Sequence, residues 1–390
     1  MKLLDVCEAI VDCPHSTAKD EGKGYPLIRT PNIGKGRLKL EGVHRVSADV
    51  YDKRNMRAVP QENDLILARE APVGNVAIIK QGQKVCLGQR TVLIRPNQGL
   101  VDPYFLTYYL LSPQKQHALL SASNGATVSH LNMSAIRALD VELPEMEIQR
   151  KIGRVLSELD DKIEVNNCIN ENLAQQAQAI FVNMFAENEA VIPATIADVS
   201  LNITDGVHNT VHDDPEGEFF LLSCKNIKGG SLSIGSSERR ISFDTFEKLR
   251  RRTKLSKGDV LISSVGTVGE LLLLNVEPTN YEFQRSVAMV KPNPDIVSPA
   301  YLYESLIFKR SELINAAHGA VQQCLFISDI AGFPIGIPQP DELRNYNTIV
   351  APMFDTISAN LAENLRLAKM RDALLPKLMS GELDVSNLTL

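Results

Sequence analysis

The sequence predicts an α+β chain in which two tandem mixed α/β domains are separated by long, paired antiparallel helices, a coiled-coil spacer within an internal pseudo-twofold repeat. Three observations lead there. Landmark residues recur at a nearly constant offset, each copy opens with short β-branched runs broken by Gly, Pro and Asn, and each copy closes on a helical stripe.

The repeat spans the whole chain. Asp12-x-x-His15-x-Thr17 returns as Asp205-x-x-His208-x-Thr210, and Asn32-Ile33 as Asn226-Ile227. Asp64-Leu65-Ile66 returns as Asp259-Val260-Leu261, Gly74 as Gly269, Gln89-Arg90 as Gln284-Arg285, Gly125 as Gly319 and Pro144 as Pro338. The offset stays between 193 and 196, so the two copies differ by insertions of loop size only. In the first copy Tyr25 to Ile28, Leu65 to Leu67, Val76 to Ile79 and Thr91 to Ile94 read as strands. Helices are expected after Pro103 and, in the second copy, after Pro299, because proline fits the first turn of a helix. This gives head one over residues 1–144, a helical region over 145–189, head two over 190–338, and a second helical region with its tail over 339–390.

The helical stripes match interval for interval. Ile152, Val155, Leu159, Ile163, Asn166, Asn170 and Leu173 step by 3, 4, 4, 3, 4 and 3, and Tyr346, Ile349, Met353, Ile357, Asn360, Asn364 and Leu367 repeat those steps. A narrow stripe of this kind suits helix pairing. The first helix leaves head one and arrives at head two, so a partner lying along it must run antiparallel. Ile163, Asn166 and Asn170 are expected to pair with Ile357, Asn360 and Asn364, with Asn166 and Asn360 facing each other near the axis and fixing the register.

Charge is unevenly spread. The 41 basic and 47 acidic side chains give −6 overall, yet residues 1–144 carry +4, 145–189 carry −5, 190–338 carry −3 and 339–390 carry −2. Within the third segment Arg239, Arg240, Lys248, Arg250, Arg251, Arg252, Lys254 and Lys257 form a basic cluster, readable as a solvated face or as a phosphate-binding ridge. The six cysteines, Cys7, Cys13, Cys86, Cys168, Cys224 and Cys324, form no C-x-x-C pair, which suits a reducing compartment. No apolar run is long enough to span a membrane, and Asp5 and Glu8 interrupt the place of a signal peptide, so a cytoplasmic location is expected.

No catalytic constellation emerges. The chain has neither a G-x-x-x-x-G-K-[ST] phosphate loop nor a G-x-S-x-G elbow. Asn293-Pro294-Asp295 lacks the second proline and the aromatic of an amino-methyltransferase signature, and Glu21-x-Lys23 has the spacing of a nuclease fragment without a partner carboxylate. His208, His212, Asp213 and Asp214 could gather a metal, but the first copy supplies only His15, so no metal site is expected. Nothing in the sequence gives His15 or His208 the oriented partner and pocket of a general base, and both read as holding a turn through the neighbouring Asp and Thr more readily than as touching a DNA base.

The chain resembles the DNA-specificity subunits of type I restriction-modification systems. The marks are "LLPKLMSGELDV" from Leu374 to Val385, "LPEMEIQRKI" from Leu143 to Ile152, the Ile163, Asn166 and Asn170 stripe, and "LAREAPVGNV" and "LGQRTVLIRP" in head one. Head two holds the same positions more loosely with "SSVGTVGEL" and "FQRSVAMVKP". The resemblance implies that each head is a target recognition domain reading half of a bipartite duplex DNA site. The helices are then spacer and docking site for two DNA adenine methyltransferase subunits and, where the system has one, a translocating restriction subunit. It implies no catalysis and no cofactor in this chain, S-adenosylmethionine and ATP belonging to the partners. A helix of roughly 40 residues is about 60 Å long at 1.5 Å per residue, enough to hold two heads a DNA turn of about 34 Å or more apart.

Base reading needs fork-shaped donors and acceptors, alongside phosphate contacts that set register. In head one the candidates are Lys35, Arg37, Arg69, Glu70, Gln89, Arg90, Thr127, Ser129 and His130. In head two they are Lys225, Asn226, Lys228, Ser264, Thr267, Gln284, Arg285, Gln322 and Gln323. Gln89-Arg90 and Gln284-Arg285 recur and could equally stabilise the shared fold. Lys35, Arg37, Arg69, Gln322 and Gln323 stand where the copies differ. Two other readings compete: a stand-alone nuclease or methyltransferase, and an interaction scaffold or DNA mimic that binds a restriction-modification complex without reading DNA.

Overall fold

The computed structural model describes residues 1–70, 72–123, 130–186, 191–235, 238–319 and 323–388. The chain forms two compact units: Met1–Glu164 with Asn364–Leu390, and Val165–Glu363. The boundaries cut through both long helices, so each unit holds one head together with a stretch of each helix.

Unit 1 contains strands β1 (Cys7–Asp12), β2 (Tyr25–Ile28), β3 (Gly36–Arg37), β4 (Arg45–Val46), β5 (Leu65–Ala68), β6 (Val76–Ile78), β7 (Cys86–Leu87) and β8 (Thr91–Pro96). Helices α1 (Ala48–Arg54), α2 (Pro103–Leu111), α3 (Pro113–Ser121) and α4 (Met133–Arg137) precede α5 (Met146–Phe185). The main sheet has the order β1-β8-β5-β6-β3, and a small sheet has the order β4-β2-β7.

The apolar runs of β5, β6 and β8 lack polar alternation because both faces of the sheet are covered. Side chains alternate between faces along a strand. Leu65, Leu67, Val76, Ile78, Val92 and Ile94 enter a core with Phe105, Leu106 and Tyr109 of α2. Ile66, Ala77 and Leu93 enter a second core with Ile28, Ile33 and Leu87. Each fully buried aliphatic chain of this kind contributes about 1.5–3 kcal/mol. At the head of α2, Asp102 accepts the Phe105 N–H at 2.9 Å and Pro103 occupies the first turn.

Unit 2 contains β9 (Ile192–Thr195), β10 (Ser200–Asp205), β11 (Phe219–Leu222), β12 (Ile227–Lys228), β13 (Ser231–Leu232), β14 (Arg239–Ile241), β15 (Val260–Ser263), β16 (Leu271–Leu273), β17 (Tyr281–Phe283), β18 (Val287–Pro292) and β19 (Pro334–Ile337). Its helices are α6 (Phe243–Thr253), α7 (Pro299–Phe308), α8 (Arg310–Asn315) and α9 (Ile327–Ala331), followed by α10 (Pro340–Ser380). The main sheet, β10-β18-β15-β16, repeats the order of its counterpart in unit 1. The duplication reaches the details. Both first strands carry a one-residue register shift, between Cys7 and Ala9 and between Ser200 and Asn202. Both repeated aspartates anchor a turn and an ion pair: Asp64 accepts from Gln61 N–H and Arg95, Asp259 from Ser256 N–H and Lys291. Asn32 and Asn226 each close their own turn through backbone hydrogen bonds.

The long helices pack antiparallel within each unit. In unit 1 Ile152 and Leu156 of α5 share a core with Leu374 and Leu378 of α10, and Lys151 donates to the Ser386 carbonyl. In unit 2 Ala177, Phe181 and Phe185 meet Tyr346, Val350, Phe354 and Ile357. Asn166, fully buried, donates to Glu363 at 2.8 Å, and Asn360 donates to Asn170 at 2.8 Å. Asn360 and Asn170 both belong to the stripes expected to pair, and Asn166 meets the second helix one turn along from Asn360. Among the described residues no helix is long and apolar enough to cross a membrane.

Candidate nucleic-acid interface

In head one, three strand ends and one loop meet at an edge of the main sheet: the end of β1 at Asp12, the end of β5 at Ala68, the start of β8 at Thr91, and the segment entering α4 at His130. Arg69, which follows β5 and is only 6% exposed, is held there on all sides. Its Nε donates to the Leu131 carbonyl at 2.8 Å, one terminal nitrogen to Asp12 at 2.6 Å, and the other to His130 Nε2 at 2.7 Å. With Nε2 accepting, the His130 proton sits on Nδ1 and is donated to Glu70 at 2.6 Å. Glu70 also pairs with Arg90 Nε at 2.8 Å. Arg90, left-handed at φ +66°, keeps much of its side chain in solvent. Gln89 Nε2 donates to the His15 carbonyl at 2.5 Å.

Arg69, Glu70, Gln89, Arg90 and His130 are thus brought into one polar network. Thr127 and Ser129 lie outside the described residues. Lys35 and Arg37 lie apart from that edge: Lys35 is exposed beside a cleft lined by Tyr108 and Arg371, and Arg37 donates to the Ser157 carbonyl at 3.2 Å and to Asp161 at 2.9 Å. Arg37 is therefore committed to α5.

Head two has the same edge with different contents. Ser264, Val265 and Cys324 occupy the places of Arg69, Glu70 and His130, joined by the same backbone bonds, including Leu325 N–H to the Ser264 carbonyl at 2.8 Å. Ser264 is buried and donates to the Arg285 carbonyl at 3.3 Å. Val265 leaves Arg285 without the carboxylate that Glu70 gives Arg90, and Arg285 is exposed with no side-chain partner among the described residues. Gln284 is half-buried beside it, and Thr267 and Gln323 are exposed; Gln322 lies outside the described residues. Lys225 is exposed and pairs with Glu238 at 3.0 Å, and Lys228 is exposed. Asn226 is buried in its turn, so it shapes the loop rather than presenting a fork.

The repeated Asp-x-x-His motif brings its two side chains together in both heads, His15 Nε2 to Asp12 at 3.3 Å and His208 Nε2 to Asp205 at 2.6 Å. Both histidines stand largely in solvent. Two further arginines belong to this edge, Arg57, which sequence reasoning missed, and Arg252, which it placed only in the basic cluster. Arg57 donates to the Asp12 carbonyl at 3.4 Å, and Arg252 to the Asp205 carbonyl at 2.6 Å. They are equivalent at an offset of 195, and that equivalence was available as a signal. Part of the basic cluster of head two is committed: Arg239 pairs with Asp213, Arg240 lies over the Phe220 ring and Arg250 pairs with buried Glu282.

A second polar group fastens head one to the helices of unit 1. Lys80 reaches Asp161 at 2.7 Å and Glu164 at 2.5 Å, beside Arg37. Partial burial pushes the Asp161 carboxyl up, but Lys80 and Arg37 outweigh it and hold the group below its ordinary value. Tyr108 donates to Asp160 at 2.6 Å, and Arg371 pairs with the same carboxylate. In unit 2 the corresponding surface is mostly apolar, with Tyr303 edge-on to Phe354, and Glu304 stands where the repeat places Tyr108. No group of three His, Cys, Asp or Glu side chains is placed to hold a metal ion among the described residues.

Known proteins resemble the chain in sequence and in fold. A family model described as the type I restriction modification DNA specificity domain matches residues 1–175. The chain is 27% identical over 378 residues to the type I restriction enzyme MjaIX specificity subunit of Methanocaldococcus jannaschii, covering 89% of this chain and 83% of that one. It is 28% identical over 181 residues to the EcoBI specificity subunit of Escherichia coli, covering 45% and 37%. Its fold is that of the S subunit of a type I restriction-modification system from M. genitalium, with a TM-score of 0.54 at 15% identity over 97% of this chain and 95% of the other.

Proposed function

Because the chain belongs with the specificity subunits of type I restriction-modification systems, we propose that it reads a bipartite duplex DNA site and brings methyltransferase subunits to it. A translocating restriction subunit joins where the system has one. The observation that carries this reading is the duplicated sheet edge: one backbone frame, held by the same Asp-His pair and the same arginine, displays different side chains in the two heads. A shared frame with changed contents is what reading two different half-sites requires, since base edges specify while phosphate contacts position. In head one the exposed fork is Arg90, steadied by Glu70; in head two it is Arg285, which has no side-chain partner among the described residues.

The chain itself does no chemistry in this account. S-adenosylmethionine is bound by the methyltransferase partners and ATP by the restriction partner. A gel-shift titration with its cognate methyltransferase tests the reading against the scaffold or mimic alternative. The complex should retain a duplex carrying the genomic methylation site more tightly than a scrambled one; equal retention, or none, overturns it. Purified chain with S-adenosylmethionine and magnesium should neither methylate nor cut, and robust activity would contradict it.

A further inference from the structure

Residues 47–64 align with 242–259 without a gap, from the helix-capping positions Ser47 and Ser242 to the anchoring Asp64 and Asp259. Within this stretch the two heads share one arginine, Arg57 or Arg252, which holds the Asp-x-x-His loop. They differ at the next exposed positions. Head one has Met56, Val59 and Glu62 where head two has Arg251, Lys254 and Lys257, all exposed, a change from −1 to +3. Arg251 has one loose partner, Glu247 at 3.7 Å, and the ammonium groups of Lys254 and Lys257 have none among the described residues. The ridge adjoins the candidate reading edge, because Arg252, flanked by these cations, touches Asp205 beside His208.

Resting on the proposed function, we propose that Arg251, Lys254 and Lys257 form a phosphate-binding ridge on head two that grips the duplex beside its half-site and has no counterpart in head one. Cations of this kind add affinity without sequence information, and each phosphate neutralised contributes about 0.9 to the slope of log K against log salt.

The experiment uses the full chain with its methyltransferase and a mixed-sequence duplex of about 40 base pairs, titrated at several salt concentrations. Arg251→Met, Lys254→Asn and Lys257→Gln are combined; asparagine is chosen because Lys254 sits at φ +50°, where β-branched residues are strained. Lys84→Ala, in the loop after β6 and away from the edge, is the control. The triple variant should lose about 2 to 3 from the slope and Arg251→Met alone about 1, with unchanged circular dichroism, an unchanged methylation motif and an unaffected control. An unchanged slope in a folded triple variant overturns the ridge, as does an altered base preference. Failure of the unsubstituted complex to bind duplex DNA at all would instead overturn the DNA-reading account itself.

Discussion

Tyr108 and Asp160 are joined by a 2.6 Å hydrogen bond that ties α2 of head one to α5, and Arg371 of α10 closes on the same buried carboxylate. Removing the cation leaves Asp160 buried and uncompensated, so Arg371→Leu should lower stability by about 3–5 kcal/mol. Tyr108→Phe, which removes one hydrogen bond to a charge, should lower it by about 1.5–3 kcal/mol. Urea unfolding of the two variants measures the difference, and equal midpoints would contradict the ordering.

Acid should loosen the same junction. Partial burial raises the Asp161 carboxyl, yet Lys80 and Arg37 hold it below the ordinary value of 3.8. A carboxylate depressed in the folded state contributes stability above its unfolded value and loses it as pH falls through the folded one. The contribution should be complete above about pH 5 and fade below pH 4. Asp161→Asn should flatten that part of a stability profile; an unchanged acid limb would rule the pairing out as its source.

Glu304 gives the opposite sign. Burial pushes its carboxyl up to about 8 from 4.5, so the folded unit favours the neutral acid. Its contribution to stability should be full below about pH 4.5 and decline toward pH 8, at no more than about 1.4 kcal/mol per pH unit. Glu304→Gln keeps the shape and removes the charge, so it should match the parent near pH 5 and exceed it at pH 8.5 in thermal melts. A variant less stable than the parent at both values would contradict this.

Arg90 and Arg285 should differ in what their loss does. Arg90 is steadied by Glu70, so Arg90→Ala should cost about 1–3 kcal/mol of discrimination at one base. Glu70→Gln should reproduce part of that loss while Arg90 remains. For Arg285, which has no carboxylate partner among the described residues, Arg285→Ala should weaken binding with less change in preference. Competition binding with half-site variants separates the two outcomes.

Much of this was legible in the sequence, and unevenly. The repeat, the strands and the helices beginning near Pro103, Pro299 and Pro340 could be read because they rest on period and punctuation. The helix α6 was hidden: Phe243, Phe246 and Leu249 give it an apolar face, but the surrounding arginines drew attention to charge instead. The stripes showed that Asn166, Asn170 and Asn360 lie along the helix seam, but not that Glu363 would be the acceptor for Asn166, because the pattern locates a stripe without fixing which residue lies opposite which. Arg37 looked like a variable-loop cation, and its commitment to Asp161 depends on a contact 124 residues away in sequence. Arg69 stood out as a difference between heads, yet its burial under Asp12, His130 and Leu131 is a tertiary fact that composition does not carry.

The most direct test of the two-reader account is to exchange head one, residues 1–144, for the head of a related subunit that retains Gly36, Arg37, Lys80 and Tyr108, and to map methylated adenines in cells carrying the hybrid with its methyltransferase. The account predicts a bipartite motif in which one half changes while the other half and the spacing between them stay as they were. A motif changed in both halves, or in neither, would contradict it.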